Sequence, residues 1–181
     1  MKKITIIAIT AALAVAAGQL NADPISGTID FAGFGATFDT TSRATDPQVT
    51  SWNGIFIGGG TGELAPYSGS VTAAQPWIFN NGALASFITF DGFTFDLNGS
   101  YVIAQGGSGP TAYVDVFGSG SLYGNGYSDT ATTFSFSSTG SGSSVDSFQA
   151  TLTAVPDGGT TVALLGGALT ALGLVRRKMA V

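Results

Sequence analysis

Apolar and polar residues alternate with a period of two over several short stretches of this chain, and glycine-containing dipeptides separate the stretches. In Thr28-Ile29-Asp30-Phe31, Ile29 and Phe31 share one face. Ile88-Thr89-Phe90 and Phe93-Thr94-Phe95 flank Asp91-Gly92, so the segment Ser86 to Leu97 reads as a β-hairpin. Tyr113-Val114-Asp115-Val116-Phe117, Phe134-Ser135-Phe136 and Phe148-Gln149-Ala150-Thr151-Leu152 repeat the pattern. β-branched and aromatic residues alternating with Thr, Ser and Asp predict strands with one wet face. Asn53-Gly54, Asn81-Gly82, Asp91-Gly92, Asn98-Gly99 and Asn125-Gly126 accept positive φ and predict turns. Ser137 to Ser144 contains only Ser, Gly and Thr and reads as a loop. Short strands on this spacing predict an all-β fold, an antiparallel β-sandwich or jelly roll, with no helix longer than a turn between residues 23 and 154.

The two ends read differently. Lys2-Lys3, the apolar stretch Ile4 to Ala17 and a small-residue exit form a secretory signal over residues 1–22, cut between Ala22 and Asp23, with Gly18–Gln19 as the alternative bond. As a helix the apolar stretch covers about 21 Å, short of a roughly 30 Å hydrocarbon core, which favours a cleaved signal over a membrane span. The tail, residues 155–181, begins with Val155-Pro156-Asp157-Gly158-Gly159. Pro156 ends the last strand because proline has no N–H for the ladder. Thr160 to Val175 carries no charge and predicts a transmembrane helix of about 24 Å, followed by the basic stop Arg176-Arg177-Lys178. Basic residues stay on the cytoplasmic side, so signal and stop both predict the same topology, with residues 23–154 outside the inner membrane as a β-sandwich passenger domain.

Charge narrows the partners. Of six Lys and Arg, only Arg43 lies between residues 23 and 154, against ten acidic residues in the same span. A surface of that sign repels a phosphate backbone, so nucleic acid is excluded as a partner, and cations or polyhydroxy surfaces suit it better. The chain has no His and no Cys. That removes the commonest general base and metal ligand, every Ser-His or Cys-His nucleophile, and any disulfide. The 27 glycines suggest a low-complexity chain, but thirteen Phe, five Tyr and two Trp are too much apolar surface to stay solvated.

The tripartite tail resembles the PEP-CTERM class of C-terminal sorting signals, which exosortases recognise in Gram-negative bacteria. The usual motif is Val-Pro-Glu-Pro; Val155-Pro156-Asp157-Gly158-Gly159 is closer to the Val-Pro-Asp-Ser-Gly variant, with Gly158 where that variant has Ser. The resemblance implies that Pro156 and Asp157 are recognition residues, that the 160–175 helix holds the chain transiently in the inner membrane, and that Arg176, Arg177 and Lys178 stop transfer. It implies an exosortase-type enzyme as partner and release to the cell surface or an exopolysaccharide matrix. An ordinary single-pass anchor that is never cut is the alternative reading of the same tail.

No catalytic residue is assigned. Glycoside hydrolysis needs only two carboxylates, and Asp91, Asp96 and Asp115 lie on or beside predicted strands, which leaves a carbohydrate-active enzyme as the runner-up. Asp91 in Asp-Gly reads as a turn former, and Asp115, between Val114 and Val116, falls on a wet face. No metal ligand or cofactor is assigned either. The turns Asp96–Ser100 and Asn125–Asp129 offer oxygen ligands for a structural calcium but lack helix-loop-helix spacing and a closing glutamate. Trp52, Trp77, Tyr67, Tyr101, Tyr113, Tyr123 and Tyr127 are the aromatics available to stack on sugars. Trp77, between Pro76 and Ile78-Phe79, reads as core, and Tyr123 and Tyr127, in a Gly/Asn loop, are the candidate ligand rim. The domain itself is expected to be structural or adhesive, with polysaccharide or cations as ligands.

Overall fold

A computed structural model describes residues 22–140, 146–155 and 169. The strands are β1 (Gly27–Phe38), β2 (Gln48–Trp52), β3 (Ile55–Gly60), β4 (Val71–Ala73), β5 (Trp77–Ile78), β6 (Leu84–Phe90), β7 (Phe93–Gly106), β8 (Tyr113–Gly124), β9 (Tyr127–Thr139) and β10 (Asp146–Ala154). Between residues 23 and 154, the helical turns among the described residues are the three-residue 3-10 turns Gly62–Leu64 and Gly109–Thr111. The all-β expectation holds.

The expected pair of stacked sheets is replaced by a single sheet, in the order β4-β6-β7-β8-β9-β10-β1-β2-β5, with β3 also on β1. β2 and β3 lie end to end along β1. Phe38 opposes Val49 and Ala36 opposes Trp52, then Gly33 opposes Ile55 and Ile29 opposes Gly60. Strand order therefore follows chain order around the molecule, and β10 returns to pair with β1. Among the described residues no Greek-key crossover of the jelly-roll kind occurs. The physical reason is that sequential strands are joined as neighbours, by two-residue hairpins at 91–92 and 125–126 and by longer loops elsewhere, and the twisted sheet then curls until its ends meet. In one half they meet at a bridge between Phe56 and Ser70. In the other half residues 77–81 fill the gap: Val49 pairs with Trp77 and Gln48 with Ile78, while Ser100 N donates to Asn81 O (3.1 Å) and Val102 N to Asn80 Oδ1 (3.0 Å).

The interior of this roll is aromatic. Phe87 on β6 and Phe134 on β9 are three strands apart along the sheet, yet their rings lie 5.2 Å apart. Phe31 on β1 meets Phe90 on β6 at 5.3 Å. Trp77, buried as its sequence context predicts, packs on Phe79, Phe87, Phe134 and Phe136 at 4.9 to 5.5 Å and stacks on Trp52 at 6.0 Å. Each such side chain removed from water contributes about 1.5–3 kcal/mol, which holds a domain that has no disulfide.

The roll has two rims. At the chain-end rim, Ser128 N donates to Asp23 O (3.1 Å) and Val155 N to Ala131 O (2.9 Å), so chain entry and exit both lie beside β9. Two hairpin turns close the same rim. Asp91-Gly92 (φ 41° and 82°) and Asn125-Gly126 (φ 49° and 82°) both have positive φ at each central position, the type I′ requirement. Asn125 Nδ2 donates to Asp91 O (2.8 Å), and Ser68 N to Asp91 Oδ2 (2.9 Å), locking the turns together. The far rim carries the ends of β1, β7 and β9 and is covered by the loop after β1. There Arg43 and Asp46 are buried and paired at 2.6 Å, and the guanidinium lies 3.4 Å over the Phe38 ring. Gln105 Nε2, on β7, donates to Arg43 O (2.7 Å) and Asp46 O (2.8 Å), although β7 is four strands from β1 along the sheet.

Other turn dipeptides serve differently from expectation. Gly54 (φ 72°) marks the break between β2 and β3, which both continue along β1, and Asn98 lies in a bulge of β7 at the shift between Leu97 and Gly99. Asn81-Gly82 lies in the connection before β6. Tolerance of positive φ and of unpaired residues suits bulges as well as turns. The expected loop at Ser137 starts too early, since Ser137, Ser138 and Thr139 pair with Asp115, Val114 and Tyr113. The signal segment 1–21 and the tail from Pro156 onward, apart from Leu169, lie outside the described residues. Among the described residues no helix is long and apolar enough to cross a membrane.

Candidate ligand-binding face

Val114 and Val116 are fully buried, so alternation along β8 turns Tyr113, Asp115 and Phe117 to the outside. Tyr101 on β7 is the Cα partner of Phe117; the two rings lie 5.8 Å apart at 55°. A register shift between Val102 and Ala104 leaves Ile103 as the extra residue of a bulge. Tyr101 and Ile103 are 54% and 59% exposed, and Tyr113 37%. Gly106, the partner of Tyr113, leaves room for its ring, because a Cβ there would sit 3.3 Å from the phenol oxygen. Beyond this patch β9 contributes a row of hydroxyls, with Ser135 beside Phe117, Ser137 beside Asp115 and Thr139 beside Tyr113.

The result is an aromatic surface around one carboxylate, on the outer wall of β7 and β8 in the half nearer the far rim. Sequence reasoning named Tyr101 and Tyr113 as available aromatics and put Asp115 on a wet face, without joining them. The signal was in the same alternation: whatever exposes Asp115 exposes Tyr113 and Phe117. Tyr101 and Ile103 are less legible, because Tyr101-Val102-Ile103-Ala104 contains no charged or hydroxyl-bearing aliphatic residue to mark which face is wet.

The two tyrosines chosen as a rim do not share a surface. Tyr123, across a register shift from Gly124, donates its hydroxyl to Asp96 Oδ2 (3.3 Å) and Oδ1 (3.4 Å). Partial loss of solvent and then the negative charge of Asp96 hold this phenol above its ordinary pKa range. Tyr127 turns inward, packing against the core with its ring 6.0 Å from Phe93.

The carboxylates weighed as a catalytic pair are dispersed. Asp91 holds the Ser68 backbone, and Asp96 accepts Ser86 N at 2.6 Å, supporting a residue with φ 51°. Asp96 opposes Ser121 on β8, six positions from Asp115, about 20 Å at the rise of a strand. Glycosidase pairs stand about 5–9.5 Å apart. Among the described residues no group of three acidic, His or Cys side chains is placed to hold a metal ion.

At the chain-end rim β10 ends at Ala154 and Val155 is exposed, so the tail leaves the roll at the first residue of its motif. Comparison with known proteins finds no curated protein and no solved structure that matches the chain. A family model described as the VPDSG-CTERM motif matches residues 154–179. The chain thus ends in a sorting tail of the PEP-CTERM/VPDSG-CTERM type, the kind processed by exosortase-type enzymes.

Proposed function

We propose that this is an exported surface or extracellular-matrix protein of a Gram-negative bacterium, held transiently in the inner membrane by residues 160–175 and then cut within the Pro156–Gly159 segment. Its β-roll is structural and adhesive rather than catalytic, and its outer wall contacts polysaccharide. The observation that carries this reading is the match of residues 154–179 to the VPDSG-CTERM motif. Two features support it. Asp23 and Val155 both leave from one rim beside β9, so a chain held at either end presents the same rim to the membrane. The separation of Asp96 from Asp115 weighs against the carboxylate-pair enzyme.

The test is the intact mass of the protein from cell membranes and from the surrounding matrix. The expected matrix form lacks residues 1–22 and ends between Pro156 and Gly159; a matrix form still ending at Val181, or a membrane form ending there with no shortened form anywhere, would sink the sorting reading and leave a simple anchor. Asp157→Ala is expected to trap the full-length chain in the membrane, with less than about a tenth of normal release, the tenfold corresponding to about 1.4 kcal/mol of recognition.

A further inference from the structure

We infer that the outer face of β7 and β8, around Asp115, takes a polysaccharide whose sugar rings carry free amino groups. The inference deepens the adhesive reading above and rests on it.

Shape comes first. Exposed Tyr101, Ile103 and Tyr113 and half-buried Phe117 form an apolar surface on a sheet wall, and Ile78, 44% exposed, lies on the neighbouring 77–81 segment. Solvent-facing aromatics gathered on one wall cost hydrophobic stabilisation unless something covers them. Flat rings suit the flat apolar faces of sugar rings, while the β9 hydroxyls beside them suit the sugar edges.

Charge then selects among glycans. Asp115 stands between Tyr113 and Phe117, and its cross-strand neighbours are Ala104 and Ser137, neither of them basic. Between residues 22 and 155 the sequence has one basic residue, Arg43, which is buried under the far rim against Asp46 and Phe38. The outer wall therefore offers carboxylates and no cation. A uronic-acid polymer meets repulsion there, and so does the same acidic wall of a second copy of the chain. A neutral chain covering the patch strips water from Asp115 without supplying a counter-charge. An ammonium on the sugar supplies it. The carboxylate accepts a charge-assisted hydrogen bond, and the neighbouring ring faces attract the same cation.

The experiment uses the full chain in detergent micelles, with three probes of matched length: chitosan oligosaccharides, the fully N-acetylated oligosaccharides, and oligogalacturonate. Wild type is expected to bind the amino form, bind the acetylated form about tenfold more weakly or worse, and ignore the uronate, the tenfold being the scale of one charge-assisted contact. Asp115→Asn should bring the amino form down to the acetylated level, and the Tyr101→Ala, Phe117→Ala pair should abolish both. Asp129→Asn, an exposed acid on β9 outside the patch, should change nothing. Tryptophan fluorescence from buried Trp77 and its neighbour Trp52 verifies that each variant is folded. Equal binding of the amino and acetylated forms, or binding that Asp115→Asn leaves intact, overturns the amino-glycan assignment while the adhesive reading stands. Equal losses in Asp115→Asn and Asp129→Asn overturn the site, since diffuse charge then explains the binding. Failure of the wild type to bind these probes and also the polysaccharide of the producing cells overturns both readings together.

Discussion

At the rim where the chain enters and leaves, closure is local. Two type I′ turns, Asp91-Gly92 and Asn125-Gly126, support each other through the Asn125 amide, and Glu63 accepts hydrogen bonds from the Ser26 backbone (2.8 Å) and hydroxyl. At the far rim closure is long-range. A loop after β1 places the lone arginine of the domain inside, pairs it with Asp46, lays it over Phe38 and is held by Gln105 from across the mouth. The first arrangement rests on backbone conformations that few residues accept. The second rests on a buried ion pair, whose worth depends on both partners being present. Similar openings in one sheet are thus sealed by chemistries that fail in different ways.

The far rim is most sensitive at Arg43. Arg43→Met leaves Asp46 buried without its partner and is expected to cost about 3–5 kcal/mol, read from the denaturant midpoint. Adding Asp46→Leu should recover most of that loss, because the charge no longer needs a partner; a double variant as unstable as the single one would show that the loop depends on the Asp46 carboxylate itself, which also accepts from Thr40 N (2.6 Å). Next is Gly124→Ala at the chain-end rim. Gly124 has φ 135°, and a Cβ there would lie 2.2 Å from Gly92 O, so the backbone of one turn strand must move. A loss of about 2–3 kcal/mol is expected, with no second substitution able to rescue it.

The smallest effect is a difference in acid sensitivity. Hydrogen bonds from the Ser26 hydroxyl, chiefly, and from backbone N–H groups hold the Glu63 carboxyl below its ordinary pKa. The sign follows directly. The folded state favours the charged form, so the contribution is complete above the ordinary carboxylate range and is lost as pH falls through the lowered folded value. Ser26→Ala should therefore lower stability slightly at neutral pH and flatten the fall toward acid. An unchanged acid limb in equilibrium unfolding would mean that the Glu63 contact contributes nothing.

How much was legible differs by element. The period-two runs at Tyr113–Phe117, Phe134–Phe136 and Phe148–Leu152 fall on β8, β9 and β10, because alternation depends only on strand geometry. The curling of the sheet was not legible: stacked and rolled sheets demand the same alternation, and it is Phe87 meeting Phe134 that distinguishes them. Asn53-Gly54 and Asn98-Gly99 looked like turns because a bulge and a turn need similar backbone freedom. Arg43 was legible only as the one basic residue between 23 and 154; its burial was not, since a short polar loop gives no sign that it folds inward. The ligand face was half legible, in the residues that flank Asp115. Tyr127 was misplaced because its hairpin sets it opposite Gly124 on the inner side, beside Phe93.

The exit of the tail has a mechanical consequence. β10 runs between β9 and β1, antiparallel to both, and hands the chain to Val155 in line with its own axis. A protein fixed at that end and gripped on the outer wall of β7 and β8 is loaded along β10. The ladder bonds on its two sides then bear the force together, in shear, instead of parting one after another from an end. The strand that leads to the attachment point is also the one flanked on both sides by long partners, so tension reaches the whole wall before it can peel any one strand away.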